Sequence, residues 1–285
     1  MNNLTTEKRA AIVRALAEGN SIRGTCRLTG AAKATVLKLL VEVGEFCSIY
    51  QDHRLRGLTT TTVQADEIWA FVGAKSRNAK QPGHGDIWTY TAIDADSKLM
   101  VSWLVGPRTQ ENTNAFMLDL SERLSKRVQL TTDGNGMYLT AVRRAFDIGE
   151  ADYAQLVKSY GQSPEQGPSR RYSPMICTGA AKVRMIGRPD MDEVSTSFVE
   201  RANLSMRMGM RRFTRLTNGF SKKAENHAHA VSLYFMHYNF CRSHATLTKA
   251  AKGIHTTPAM AAGLTDHVWT AEEILGLMND ERLVG

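Results

Sequence analysis

The order of strand-like and helical segments in residues 61–133 restricts the possible folds more than any other feature of the chain. TTVQADEIWAFVG, IWTYTAID and KLMVSWLVG are rich in β-branched and aromatic residues, and a short turn at Ala95-Asp96-Ser97 separates the last two. They predict three antiparallel strands. The amphipathic segment TNAFMLDLSERLSK predicts a helix, and VQLTTDGN predicts a short buried strand.

This order is that of the opening of a ribonuclease-H-like sheet, in which the first and fourth strands lie side by side. We therefore expect an α/β fold with a ribonuclease-H-like mixed sheet and flanking helices, preceded by an all-α helix-turn-helix domain. Asp66 and Glu67 lie in the middle of the first strand, and Asp133 ends the fourth. Adjacent strands would bring Asp66 and Asp133 together.

Residues 198–222 predict a long, basic amphipathic helix with a carboxylate near its start. At a period of 3.6, polar and apolar residues fall on separate faces. The helix is expected to end at Thr217-Asn218-Gly219, where Asn and Gly favour a left-handed cap. The polar and basic residues that we expect to hold DNA near Glu200 are Asn203, Arg207, Arg211, Arg212 and Arg215. The alternative is a charged face that only contacts solvent.

Three short helices are predicted at the N-terminus, with glycines in the turns that separate them. This is the pattern of a helix-turn-helix, whose third helix enters the major groove of DNA. Lys33, Thr35 and Lys38 would then contact base edges or phosphates, and Arg23 would lie near the DNA backbone. The alternative is a small helical packing domain with no DNA contact.

Changes in periodicity divide the chain into segments. We expect a helix-turn-helix domain at 1–47, a linker at 48–60, a catalytic domain at 61–245 and a helical C-terminal segment at 246–285. Within the catalytic domain, residues 158–195 are rich in Gly, Pro, Ser and Arg, and they predict an insertion or mobile loop.

The composition favours a cytoplasmic protein with a polyanionic partner. The formal net charge is +8 and the sequence pI is near 9.4, which suits nucleic acid. No run of 18 apolar residues is present, so neither a membrane span nor a secretion signal is expected. Four cysteines occur without a CxxC pair, and they are expected to be free thiols rather than disulfides or zinc ligands.

Asp66, Asp133 and Glu200 together have the chemistry of a phosphodiester-cleaving metal site. Two Mg²⁺ ions about 4 Å apart can activate a nucleophile and stabilise the leaving oxygen of an in-line displacement. Mg²⁺ binds few protein carboxylates and keeps water and phosphate as its other ligands, so acids from two strands and a helix suffice. Any one of these acids taken alone would more often be a helix cap or a salt-bridge partner.

Four further blocks give the chain a family resemblance: ADEIWAFVGAKSR, VGPRTQENTNAFMLDLS, TTDGNGMY and FVERANLSMRMGMRRFTRLTNGFSK. In order and content they resemble the insertion-sequence-one family of DDE transposases, and residues 8–40 resemble the helix-turn-helix of that family. The resemblance implies Asp66, Asp133 and Glu200 as catalytic residues and metal ligands, with Mg²⁺ or Mn²⁺ as cofactor.

The expected function is therefore DNA transposition. The enzyme would cleave the ends of a mobile element and join their 3′ hydroxyls to target DNA, with two metal ions per active site. Expected partners are double-stranded DNA and at least one further copy of the chain, in a prokaryotic cytoplasm near the nucleoid. Two alternatives stay open: a DNA-binding regulator with an inactive core, and another ribonuclease-H-like nuclease.

Overall fold

The computed structural model describes residues 4–161, 176–214 and 217–283, apart from the side chain of residue 282. Six strands form one mixed sheet in the order β3-β2-β1-β4-β5-β6. The strands are β1 (Thr62–Val72), β2 (Gly85–Asp94), β3 (Met100–Gly106), β4 (Val128–Asp133), β5 (Ala151–Gly161) and β6 (Ile176–Ile186). Helices cover the sheet, so the predicted α/β class is confirmed, and the architecture is compatible with a ribonuclease-H-like core.

Strand pairing follows the predicted order over residues 62–133. β1, β2 and β3 form an antiparallel meander, and β4 pairs parallel with β1. The crossover between β3 and β4 contains α4 (Gln110–Arg123), whose first turn is capped by the Thr109 hydroxyl. β5 pairs parallel with β4 after α5 (Met137–Ala145), and β6 pairs antiparallel with β5.

The N-terminal helices are α1 (Thr6–Ala17), α2 (Ile22–Thr29) and α3 (Lys33–Arg54). Gly30 joins the last two in the left-handed conformation, with φ of 65°. The predicted linker at 48–60 is wrong in its first half, because α3 continues as far as Arg54. Gln51 is fully buried there and donates to the carbonyls of Cys47 and Ser232, so a polar residue occupies an inward position and hides the helical pattern.

α3 packs directly against α7 (Ala224–Met236), which belongs to the sheet-bearing part of the chain. Gly44 of α3 leaves no room for a side chain, since an added Cβ would lie 2.6 Å from the His229 carbonyl oxygen. The Ser232 hydroxyl donates to the Gly44 carbonyl at 2.7 Å. The N-terminal helices and the sheet therefore share one apolar core.

The helix that carries Glu200 is shorter than predicted. α6 spans Ser197–Gly209, a 3₁₀ turn follows at Arg211–Phe213, and the predicted end near Gly219 is wrong. At Gly209 the chain passes the Tyr234 ring so closely that an added Cβ would lie 3.2 Å from it. Met210 then adopts an extended backbone, which ends the helix while Phe213 stays buried.

The predicted loop at 158–195 is also partly wrong. Residues 158–161 complete β5, and residues 176–186 form β6. β6 is an edge strand with both faces largely exposed, so it lacks the alternation of apolar residues that identifies a strand in a sequence. Residues 162–175 of the predicted loop lie outside the described residues.

Short helical elements complete the described chain. The one that contains Glu272 contacts α1 through an ion pair between Arg14 and Glu272 of 3.0 Å. These elements are a 3₁₀ turn at Ser76–Asn78, a π-helical turn at His237–Cys241, α8 (Ala245–Ala250), α9 (Pro258–Ala261), α10 (Ala271–Gly276) and 3₁₀ turns at Leu277–Asn279 and Glu281–Leu283. In the part of the chain that is described, no helix has the length and apolar character needed to cross a membrane.

Candidate active site

The parallel pairing of β1 and β4 brings Asp66 and Asp133 together, as predicted. The register runs to Ala65 opposite Thr132, so the next residue on each strand is an aspartate. Single carboxylate oxygens of Asp66, Glu67 and Asp133 lie within 4.8 Å of one another. Within the described residues these three form the one group of His, Cys, Asp or Glu side chains close enough to share a metal ion.

Asp66 is held by an amide from α6. The Asn203 side chain donates from Nδ2 to Asp66 Oδ2 at 3.0 Å, and its Oδ1 accepts from the Thr91 hydroxyl at 3.1 Å. Burial raises the pKa of Asp66 to about 6, and the neighbouring Asp133 carboxylate raises it further against the hydrogen bonds that lower it. Asn203 was expected to contact DNA, but it is only 3% exposed, and both ends of its amide are used to orient Asp66 and Thr91.

Glu67 is a member of the acidic cluster that the sequence did not identify as a site residue. It accepts from Asn135 Nδ2 at 2.9 Å and pairs with Arg108 at 3.3 Å. Burial raises its pKa to about 7, partly offset by Arg108. Strand alternation predicts that Glu67 points away from Asp66. The loop after β4 nevertheless carries Asn135 to Glu67, and the Asn135 backbone N–H donates to Asp133 at 3.0 Å.

Glu200 lies in the first turn of α6 and lines the same cleft as Asp66 and Asp133. Its Oε1 accepts from the ammonium group of Lys158 on β5 and from the Thr196 hydroxyl. Glu200 is therefore on the wall of the cleft, held by a cation, while the other two acids form its floor. Lys158 was not predicted, because it lies in the segment expected to be a loop.

The predicted basic residues of 198–222 have different environments. Arg207 lines the cleft, and Arg211 is exposed just beyond α6. Arg212 was expected to contact DNA, but it is largely buried and donates to the Ser221 hydroxyl at 2.8 Å; burial lowers its pKa to about 10. Arg215 lies outside the described residues.

The residues expected to contact DNA at the N-terminus lie on α2 and at the start of α3. Arg23, Lys33 and Lys38 are exposed, and Thr35 is half-buried. Lys38 also pairs with Glu42, one turn later on the same helix, at 3.5 Å. None of these side chains lines the cleft.

The cleft suits a divalent cation and a phosphate chain together. Its volume is about 850 Å³, and Arg108, Lys158, Arg201 and Arg207 line it along with the acids. Carboxylate oxygens are the protein ligands that Mg²⁺ prefers. Burial raises the pKa of Asp66, and repulsion from the Asp133 carboxylate adds to this effect. A bound cation would relieve that repulsion. The acidic floor and basic walls thus fit a metal-assisted reaction of a phosphodiester.

Comparison with known proteins gives a family match for the middle of the chain. Residues 60–163 match the family model described as IS1 transposase. The match spans β1 to the end of β5, including Asp66, Asp133 and Lys158. It confirms the family resemblance over these residues. No curated protein matches the chain.

Proposed function

From the family match and the geometry of the cleft, we propose that the chain is a DNA transposase of the DDE type. It cleaves the ends of a mobile element and joins their 3′ hydroxyls to target DNA. The observation that carries the proposal is the meeting of Asp66 and Asp133 just beyond the last parallel pair of β1 and β4, with Glu200 in the same cleft.

Asp66, Asp133 and Glu200 are the proposed catalytic residues and the ligands of two Mg²⁺ or Mn²⁺ ions. The chemistry that such ions supply when bound is activation of the attacking oxygen and stabilisation of the leaving oxygen. Asn203 keeps the Asp66 carboxylate aimed at the cleft. Arg207 lies on the same wall as Glu200, where it can neutralise the phosphates of the scissile strand.

Glu200 must break its ion pair with Lys158 before it can bind a metal ion. Its Oε1 is held by Lys158, so Glu200 must be released by that cation to join the other acids. Lys158 would then be available to the phosphate that enters the cleft. All three acids are present and line one cleft, which favours an active enzyme over a regulator with an inactive core.

The proposed partner is double-stranded DNA. α2 and α3 would read the element's ends through Arg23, Lys33, Thr35 and Lys38, whose side chains are exposed or half-buried. Because a transposase joins two ends to one target, we propose at least a homodimer.

The test is a cleavage and strand-transfer assay on duplexes that carry the terminal sequences flanking the gene, with Mg²⁺ present. Asp66→Ala, Asp133→Ala and Glu200→Ala should each abolish both reactions while the circular dichroism spectrum is kept. Glu193→Ala is the matched control, because Glu193 is an exposed acid seven residues before Glu200 that does not line the cleft. Cleavage retained by two of the three Ala variants would refute the assignment.

A further inference from the structure

Two basic segments that are distant in sequence meet beyond the end of β1. The β1–β2 loop, residues 73–84, and residues 217–223 are joined where the Gly73 N–H donates to the Ser221 carbonyl at 2.8 Å. Val72 and Ser221 also form a parallel β-bridge. The cations of these segments, here called the basic patch, are Lys75, Arg77, Lys80, Lys222 and Lys223.

Aromatic rings in contact with one another support the basic patch. Phe220 packs on Phe71 with ring centroids 4.9 Å apart, and Phe71 packs on Trp69 at 5.7 Å. Lys222 lies 4.2 Å over the Phe220 ring, and Lys75 lies 5.5 Å over the Trp69 ring. These cation–π contacts fix two of the five charges on a rigid surface.

The cations of the basic patch form no ion pair within the described residues. Arg77, Lys80, Lys222 and Lys223 are exposed, and no ion pair joins any of the five cations to a described carboxylate. Neither segment contains an acidic residue. Five cations outside any ion pair among the described residues form a surface that suits a polyanion.

Paired aromatic residues of β1 and β2 connect the basic patch to the cleft. Trp69 pairs with Trp88 across β1 and β2, and the Arg108 guanidinium lies 4.9 Å over the Trp88 ring. Arg108 lines the cleft and pairs with Glu67. Asp66 and Val72 are six residues apart on β1, which at about 3.3 Å per residue places the patch about 20 Å from the acids. That distance corresponds to about six base pairs of duplex.

We propose that the basic patch binds the phosphates of duplex DNA about six base pairs from the scissile phosphate. This inference rests on the proposed function, which places the scissile phosphate in the cleft. The patch thereby supplies a DNA contact separate from α3 and from Arg207, and it holds the flank of the same duplex whose strand is cleaved.

Binding to duplex DNA at several salt concentrations tests the proposal. The Lys222→Gln/Lys223→Gln variant should flatten the slope of log affinity against log salt by about two units, and a Lys75→Gln/Arg77→Gln/Lys80→Gln variant by about three. Lys126→Gln/Lys249→Gln is the control: it removes the same charge as the first variant from exposed positions elsewhere and should leave the slope unchanged.

Duplex length then locates the contact. The difference between wild type and the patch variants should disappear on duplexes that extend only about three base pairs from the scissile phosphate on both sides, which cannot reach the patch. An unchanged slope, an equal change in the control, or a difference that persists on the short duplexes would overturn the proposal. So would loss of binding to anionic vesicles with DNA binding unaltered, which would assign the patch to a membrane surface.

The DNA-binding measurements do not depend on cleavage, so the proposed transposase activity and the proposed role of the basic patch can be refuted separately. A wild-type protein that does not cleave in Mg²⁺ refutes the transposase activity. A wild-type protein that cleaves, with patch variants that keep the wild-type salt slope, refutes only the patch.

Discussion

His227 should make the protein lose stability in mild acid. The imidazole is fully buried on α7, where Nδ1 lies 2.8 Å from the Ser221 hydroxyl that also accepts from Arg212. Burial, and secondarily the Arg212 charge, lowers the pKa of His227 from 6.5 to about 3. A lowered histidine pKa means that the fold favours the neutral ring, so its stabilisation is complete above pH 6.5 and is lost as the pH falls toward 3.

The size of this loss follows from proton linkage. Each unit of pH below 6.5 costs about 1.4 kcal/mol of unfolding free energy per proton that only the unfolded state binds. Between pH 7 and pH 5 the unfolding free energy is expected to fall by about 2 kcal/mol. The pKa of His227 in the unfolded chain sets this value, because the pKa in the folded protein lies well below 5. Loosening His227 would also loosen Ser221 and the neighbouring Lys222 and Lys223 of the basic patch.

Urea unfolding at pH 7 and pH 5 measures the effect. His227→Gln should reduce the difference in unfolding free energy between the two pH values by about 2 kcal/mol relative to wild type, whatever its stability at pH 7. His267→Gln is the control. Asp266 and Glu273 raise the pKa of the exposed His267 imidazole, so its protonation favours the folded state and its replacement should not reduce the pH difference. A His227→Gln variant with the wild-type pH difference would refute the reasoning.

Three further predictions test the site and the packing. Arg207→Ala/Arg211→Ala should flatten the salt slope of DNA binding by about two units without changing sequence preference, as measured on specific and random duplexes. Glu67→Gln should raise the Mg²⁺ concentration for half-maximal cleavage on the order of tenfold, while DNA affinity in the absence of metal is unchanged or rises. Gly44→Ala should lower the unfolding free energy by about 1–3 kcal/mol in urea titrations, because its Cβ would meet the His229 backbone. An unchanged slope, an unchanged Mg²⁺ requirement or an unchanged urea midpoint would contradict the respective prediction.

The sheet could be predicted where the sequence carries its own signals. The segment from β1 to β4 contains apolar strands, a short turn and an amphipathic crossover helix. These features predict which strands are neighbours, and the observed pairing agrees. The meeting of Asp66 and Asp133 follows from that pairing alone. By contrast, the contact of Glu67 with this pair depends on the path of the loop at Asn135, which no periodicity describes.

Tertiary packing decided the parts that could not be predicted. α3 extends to Arg54, and its buried Gln51 donates to the Ser232 carbonyl on α7. α6 stops at Gly209, where the chain turns beside the Tyr234 ring. The sequence around Arg212 is that of an exposed basic segment, yet the Arg212 guanidinium is buried and donates to the Ser221 hydroxyl. The partners of these residues lie on other elements, so sequence spacing gives no sign of them.

Metal preference of a cysteine variant tests the proposed metal site most directly. Asp133→Cys replaces one proposed carboxylate ligand by a thiolate, which disfavours Mg²⁺ and is tolerated by the softer Mn²⁺. We predict that this variant does not cleave element ends in Mg²⁺ and regains cleavage in Mn²⁺, whereas Asp133→Ala stays inactive in both. Wild-type cleavage by Asp133→Cys in Mg²⁺ would contradict the assignment of Asp133 as a metal ligand.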